Sequence, residues 1–180
     1  ASFQKAVIDV LVEHALHAVK QYNYNKFAIA GGVASNSSLR GAFETECEKR
    51  GMYVILDMHG VPGHQSIAHH CCRVNHCRLY DETDEGARFR TLASELWSEI
   101  ARHFVGNGTV AAYDLMNEPM CDYEGEDKVN SKYHDIYSLL YNAVRRNDPE
   151  HIITLEAIWT PDDMPHPKEY GWENVMYQYH

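Results

Sequence analysis

An α/β fold on a parallel sheet of about five strands is predicted by three features of this 180-residue sequence. Short apolar runs alternate with stretches of helical period, so strands and crossover helices take turns along the chain. The apolar runs show no polar alternation, which marks strands buried on both faces. Polar side chains collect where each run ends, in AGG, DMHG, MNEP, LEA and YQYH, and that edge carries the site in parallel α/β sheets.

Taken in order, residues 2–23 place Phe3, Ala6, Val7, Val10, Leu11, His14, Ala15, Ala18 and Val19 at helical spacing, which reads as an amphipathic helix. FAIAGG (27–32) is a buried strand ending in glycines. Asn36 or Ser37 caps a helix that runs to Arg50, and Gly51 sits where a helix C-cap glycine belongs. MYVILDMHG (52–60) is the next strand, and 61–83 a long polar loop. A helix from Glu85 to Phe104 carries Phe89, Leu92, Leu96, Trp97 and Ile100 on one face. VAAYDLMNE (110–118) is a strand, followed by an acidic loop over 119–127. A helix over 128–147 is stopped by Asn147-Asp148-Pro149. HIITLEA (151–157) and NVMYQYH (174–180) are the last two strands, separated by a loop with three prolines.

Composition narrows the function. With 44% hydrophobic and 23% charged residues the chain is an ordinary globular one. Sixteen Lys and Arg against 26 Asp and Glu, without a basic run, predict no nucleic-acid partner. No apolar run approaches the ~20 residues of a membrane span, so no membrane partner is expected. No cofactor is expected either. Five cysteines, an odd number, slightly favour a reducing, cytoplasmic setting. The opening residues show no secretory signal, but a mature secreted enzyme would read the same way, so localisation stays open.

The strongest chemical signal is Asn117-Glu118-Pro119 after AAYDLM. A carboxylate just past a buried strand sits at the sheet's C-terminal edge, a neighbouring Asn can bond a sugar hydroxyl, and the Pro restricts the backbone after the acid. LDMHG (56–60), YDLMNEP (113–119), the helix between them, HIITLEA and YQYH together resemble glycoside hydrolase family 5, the cellulase-type retaining (β/α)8 barrels, from about Met52 to His180. The resemblance implies a partial (β/α)8 (TIM) barrel and hydrolysis of β-1,4-glucan or a related β-glycan substrate. It implies that Glu118 is the acid/base at the end of the fourth barrel strand. Asn117, His59 and His180 then match residues that hold the sugar.

The family's nucleophile is a Glu on the seventh strand, and this chain reads only as far as the sixth. Retaining hydrolysis needs two carboxyl groups about 5–5.5 Å apart. The second must come from Glu156, at the end of its strand, or from another chain; for Glu156 a structural hydrogen-bond acceptor is the alternative reading. Asp57 reads as the orienter of a neighbour. A slice of barrel leaves strand edges unpaired and an interior face uncovered, with Val54, Leu56, Ala112 and Ile153 as candidate lining. A homodimer or higher homo-oligomer is the expected remedy.

Residues 1–51 read differently. ASFQKAVIDVLVEHALHAV and KFAIAGGVASNSSLRGAFETECEKRG resemble the tRNA threonylcarbamoyladenosine synthesis family, once described as O-sialoglycoprotein endopeptidases, with an actin/sugar-kinase-like ATPase fold. There the Gly31-Gly32 turn and Asn36 would meet a nucleotide, although a tight βα turn accounts for the glycines equally. Both families read helix–Gly–strand at this point, so the chain is read as a chimera in which 1–51 is joined to 52–180 as one folded unit.

HQSIAHHCCRVNHC (64–77) holds His69, His70, Cys72, His76 and Cys77, enough for four zinc ligands. The paired spacings of zinc modules are absent, which favours a polar loop without metal. Trp159, just past a strand end, is the candidate sugar platform; Trp172, Tyr177 and Tyr179 are further aromatics, Tyr177 more in keeping with core. The sequence therefore predicts a retaining glycoside hydrolase. The alternatives are a silent chimeric fragment with residual glycan binding, or a nucleotide-binding module from the N-terminal segment.

Overall fold

The computed structural model describes residues 2–24, 26–29, 36–67, 77–119, 131–157 and 163–179. The elements run α1 (Ser2–Gln21), β1 (Lys26–Ile29), α2 (Ser37–Arg50), β2 (Tyr53–Asp57), α3 (Asp84–Phe104), β3 (Val110–Asp114), α4 (Ser131–Arg145), β4 (Ile152–Glu156), α5 (Pro167–Tyr170) and β5 (Val175–Gln178). The strands lie in chain order β1-β2-β3-β4-β5, every neighbouring pair parallel. Unbroken sequential order is the winding of a barrel wall, so the α/β class and the partial (β/α)8 architecture are as expected.

Local chemistry sets the helix ends. Asn36 caps α2, its side chain accepting from the Leu39 N–H at 3.1 Å. Gly51 closes the same helix at φ 64°, a left-handed position where a Cβ is costly. Thr83 caps α3 by accepting from the Gly86 N–H at 3.2 Å. The single-turn α5, not expected from the sequence, starts on Pro167, whose missing N–H costs nothing at a first helical position.

Register assigns the two faces of the sheet. Leu56, Tyr113, Ile153 and Val175 pair across four strands in one row, and Asp57, Asp114, Thr154 and Met176 in the next. The first row joins the core of Trp97, Tyr137, Leu140 and Val144 under α3 and α4. Val54 packs with Leu39 and Phe43 of α2. Val54, Leu56 and Ile153 therefore face the helices, which corrects their assignment to the barrel interior, while Ala112 does lie on the inner face. Strands buried on both sides carry no alternation that reveals which way each residue points.

A second core joins Ile8, Val12 and Leu16 of α1 to Leu39, Phe43 and Cys47 of α2 and to Met52 and Val54. The buried stripe of α1 is thus one row at four-residue spacing. Phe3, 81% exposed, and Val7, Val10 and Leu11 lie outside it, because the helix meets a layer on one side only. Likewise α3 buries Gly86, Ala93, Trp97, Ala101 and Phe104 but leaves Leu92 and Leu96 exposed. The small Ala93 and Ala101 flank Trp97 and let its indole reach the sheet. No helix among the described residues is long and apolar enough to cross a membrane.

The opposite edge of the sheet is held by Asp148, fully buried after α4. Its Oδ1 accepts the N–H groups of Glu150 and His151, each at 3.0 Å. Its Oδ2 accepts the Tyr113 hydroxyl at 2.8 Å and meets the His151 ring, whose other nitrogen lies 2.9 Å from the Asn107 carbonyl. Burial alone would raise the Asp148 pKa, but these donors hold it below the usual value. A carboxyl depressed in the fold contributes stability that is present above its unfolded pKa and lost as pH falls through the folded one. Stability should therefore drop on acidification below about pH 4. Asp148→Ala should flatten that acid limb and cost about 3 kcal/mol at neutral pH, as read by urea titrations across pH.

Candidate functional site

At the C-terminal edge of the sheet, the chain leaving β3 is tied down one peptide at a time. The Leu115 carbonyl accepts the Trp97 indole N–H from α3 at 3.1 Å. The Met116 carbonyl accepts the Tyr137 hydroxyl from α4 at 2.9 Å. The Asn117 carbonyl accepts the Gln65 amide at 2.7 Å. The Glu118 N–H donates to Glu156 Oε2, on β4, at 2.8 Å. Backbone groups beyond a strand end need partners once buried, and here four separate elements supply them.

Gln65 is the linchpin of the β2 loop and is fully buried. Its Nε2 also donates to the His59 carbonyl at 2.9 Å, and its Oε1 accepts the Val61 N–H at 3.1 Å. The Tyr80 hydroxyl holds the Gln65 carbonyl at 3.1 Å. One amide thus joins the His59 segment to the Asn117 segment. The turn leading to it needs Gly63, at φ 83°, where an added Cβ would lie 2.7 Å from the Phe89 ring.

Glu118 is half-buried, with φ 37°. A non-glycine residue in that region is strained and persists only when its surroundings hold it. Asn117 is buried beside it. His59 is half-exposed, its Nδ1 2.9 Å from Asp57 Oδ2, so Asp57 does orient a neighbour. Glu156 is 2% exposed, and its Oε1 accepts the Gln178 amide at 3.1 Å. Its own backbone is gripped by the Tyr137 hydroxyl, which accepts the Glu156 N–H at 2.9 Å. The geometry thus employs the Glu156 carboxylate in bonds to the Glu118 peptide and to β5.

Asp57, Asp114 and Glu156 share the inner face. Burial, then the nearby charges of Glu156 and Asp57, raise the Asp114 pKa well above the usual carboxylate range. Burial also raises Asp57, while its bond to His59 pulls the other way. Sequence reasoning missed Gln65, Asp114 and Tyr137. An Asp inside the apolar run VAAYDLM was a signal for a buried carboxyl. A Gln in a Gly- and Pro-rich loop carries no such mark.

The structure brings together Glu118, Glu156, His59 and Asn117. Trp159 and His180 lie outside the described residues, as do His69, His70, Cys72 and His76. Of that weak metal set only Cys77 is described, and it is half-buried. No group of three or more His, Cys, Asp or Glu able to hold a metal occurs among the described residues. Gly31 and Gly32 also lie outside, and the Asn36 side chain is committed to capping α2. Trp172 is core rather than a sugar platform: it is buried and stacks on Tyr170 at 4.7 Å. Tyr177 is half-buried against the core, donating to the Pro165 carbonyl at 2.7 Å, and Tyr179 is exposed.

Comparison with known proteins identifies two ancestries. Residues 42–180 match the cellulase family, glycosyl hydrolase family 5. Residues 1–56 match the tRNA N6-adenosine threonylcarbamoyltransferase family. The chain is 31% identical over 136 residues to a beta-xylosidase of Phanerodontia chrysosporium, covering 74% of this chain and 27% of that one. It is 50% identical over 56 residues to a tRNA N6-adenosine threonylcarbamoyltransferase of Clostridium botulinum, covering 31% of this chain and 16% of that one. In fold it resembles a beta-glucanase from Saccharophagus degradans, with a TM-score of 0.65 at 18% identity over 98% of this chain and 53% of the other. It also resembles endo-glycoceramidase II from Rhodococcus sp., with a TM-score of 0.61 at 18% identity over 91% and 50%. The chain thus spans about half the length of these structural relatives and 27% of the beta-xylosidase.

The N-terminal relatives, whose name specifies tRNA, overturn the expectation of no nucleic-acid partner. Net charge was a poor guide because it is unevenly spread: residues 1–56 carry six Lys and Arg against five Asp and Glu. Through residues 42–180 the chain belongs to the cellulase family, glycosyl hydrolase family 5, and it carries ahead of them a segment shared with the tRNA N6-adenosine threonylcarbamoyltransferases.

Proposed function

We propose that the chain carries the acid/base half of a retaining glycosidase site for β-1,4-glucan or a related β-glycan. The observation that supports this most directly is the strained Glu118, four residues beyond β3, its N–H held by Glu156 and its neighbour's carbonyl by Gln65. Preorganisation of this kind is what a proton-transfer group needs, because a carboxyl displaced by an ångström loses much of its effect. The β-glycoside preference rests on the relatives, named as beta-xylosidase, beta-glucanase and endo-glycoceramidase.

In this reading the Glu118 carboxyl protonates the departing glycosidic oxygen, and the resulting carboxylate then takes a proton from water. Asn117 and His59, the latter turned by Asp57, hold the sugar. Trp159 and His180 would extend the same subsite. Glu156, occupied by the Glu118 peptide and Gln178, acts as a positioning residue. The nucleophilic carboxylate about 5–5.5 Å from Glu118 that retention requires is therefore a group other than Glu156.

Glu118→Gln should lower hydrolysis of unactivated β-glucan oligosaccharides by about 10²–10⁴-fold. Formation of the glycosyl intermediate from an activated aryl β-cellobioside should suffer far less. Equal rates for wild type and variant on the unactivated substrate, or no hydrolysis by the wild-type chain, overturn the assignment. Gln65→Leu strands the His59 and Asn117 carbonyls and the Val61 N–H together. It should cost about 3 kcal/mol in denaturant titrations and lower kcat/KM, because it loosens His59 and Asn117, which hold the sugar, together with the Glu118 that follows Asn117.

A further inference from the structure

We propose that Asp114 and Glu156 hold one proton between them, and that this carboxyl pair is what positions the Glu118 peptide. The two buried carboxyl groups face inward from adjacent strands, Glu156 standing one inward position beyond Thr154, the residue paired with Asp114. Two carboxyl oxygens bond only if one of them carries a proton. Glu156 already accepts twice, from the Glu118 N–H at Oε2 and from Gln178 at Oε1, so acceptance is its role and Asp114 is the donor. Asp114 is 5% exposed, and its Oδ1 has no hydrogen-bond partner among the described residues. A buried carboxylate with an unbonded oxygen is costly, whereas a protonated carboxyl there is tolerated. One backbone donor, the Met116 N–H, favours the ionised form of Asp114, and the charged side chains around it oppose that form. From β2 comes Asp57, with His59 behind it; from β4 come Glu156 and Thr154; from α4 comes the fully buried Tyr137 hydroxyl. The charges among these that act on Asp114, those of Glu156 and Asp57, disfavour its ionisation.

The consequence reaches Glu118 through one atom. While Asp114 is protonated, Glu156 stays a carboxylate, and its Oε2 makes a charge-assisted bond to the Glu118 N–H. When Asp114 ionises, two like charges stand on adjacent strands, Glu156 is displaced, and the left-handed Glu118 backbone loses its anchor. Asp114 is thus a positioning residue, and its meaning for catalysis rests on the acid/base reading of Glu118.

The test is an NMR titration of the full chain, labelled at aspartate carboxyl carbons and backbone nitrogen, from neutral pH into the alkaline range. One aspartate carboxyl should remain protonated at neutral pH and be missing from Asp114→Asn, whose amide donates to Glu156 without titrating. The Glu118 amide proton shift should move with the same midpoint in the wild type and stay flat in Asp114→Asn. Exchange of that amide should quicken about tenfold once the pair is ionised. Every aspartate ionised at neutral pH, or a Glu118 amide indifferent to the Asp114 titration, overturns the proposal. The wild-type titration decides the shared proton even if the variant does not fold. The two readings fail separately. Unimpaired hydrolysis by Glu118→Gln removes the acid/base role, while an ionised Asp114 at neutral pH removes the pair and leaves that role standing.

Discussion

Everything distinctive about this molecule depends on how four peptide groups beyond β3 find hydrogen-bond partners. Past Asp114 the chain leaves the sheet ladder while still buried, and each orphaned group must be satisfied. Trp97, Tyr137, Gln65 and Glu156 do so from α3, α4, the β2 loop and β4. Because the donors and acceptors are side chains on separate elements, the segment is over-determined, and a glutamate can be held at positive φ. The helices therefore serve this segment as well as the core: Trp97 and Tyr137 are among the largest buried side chains, the Trp97 indole N–H bonds the Leu115 carbonyl, and the Tyr137 hydroxyl bonds both Met116 and the Glu156 backbone.

The same economy divides the sheet's faces. The row of Leu56, Tyr113, Ile153 and Val175 faces the helices and supplies apolar burial, and the row of Asp57, Asp114, Thr154 and Met176 faces inward. Carboxyl groups on a buried inner face raise one another's pKa, both by desolvation and by mutual repulsion.

The joint between the two ancestries falls on a shared local grammar. The two family matches overlap at residues 42–56, the second half of α2, its Gly51 cap and most of β2. Met52 and Val54 from that overlap pack with Ile8, Val12 and Leu16 of α1, so the small second core is built from both sides of the joint. In this chain the overlap is a helix closed by the left-handed Gly51 that leads into a parallel strand, a common local connection in α/β folds.

How much was legible follows from the range of each interaction. Element order, the Asn36 and Gly51 caps, the parallel sheet and the Glu118 position could be read from residues a few places apart, because period, capping and turn chemistry are local. The α1 and α3 stripes were drawn too wide, since apolar spacing marks every residue able to be buried, and the number of neighbouring elements decides which are. The inward direction of Asp114, the burial of Gln65 and the use of Glu156 as an acceptor depend on register between strands and on contacts spanning up to 52 residues. Sequence by itself determined which groups are present and which local conformations they favour. Tertiary structure alone decided which carboxylate is strained, which is buried and which is a partner, because those states are set by neighbours that the chain brings together only on folding.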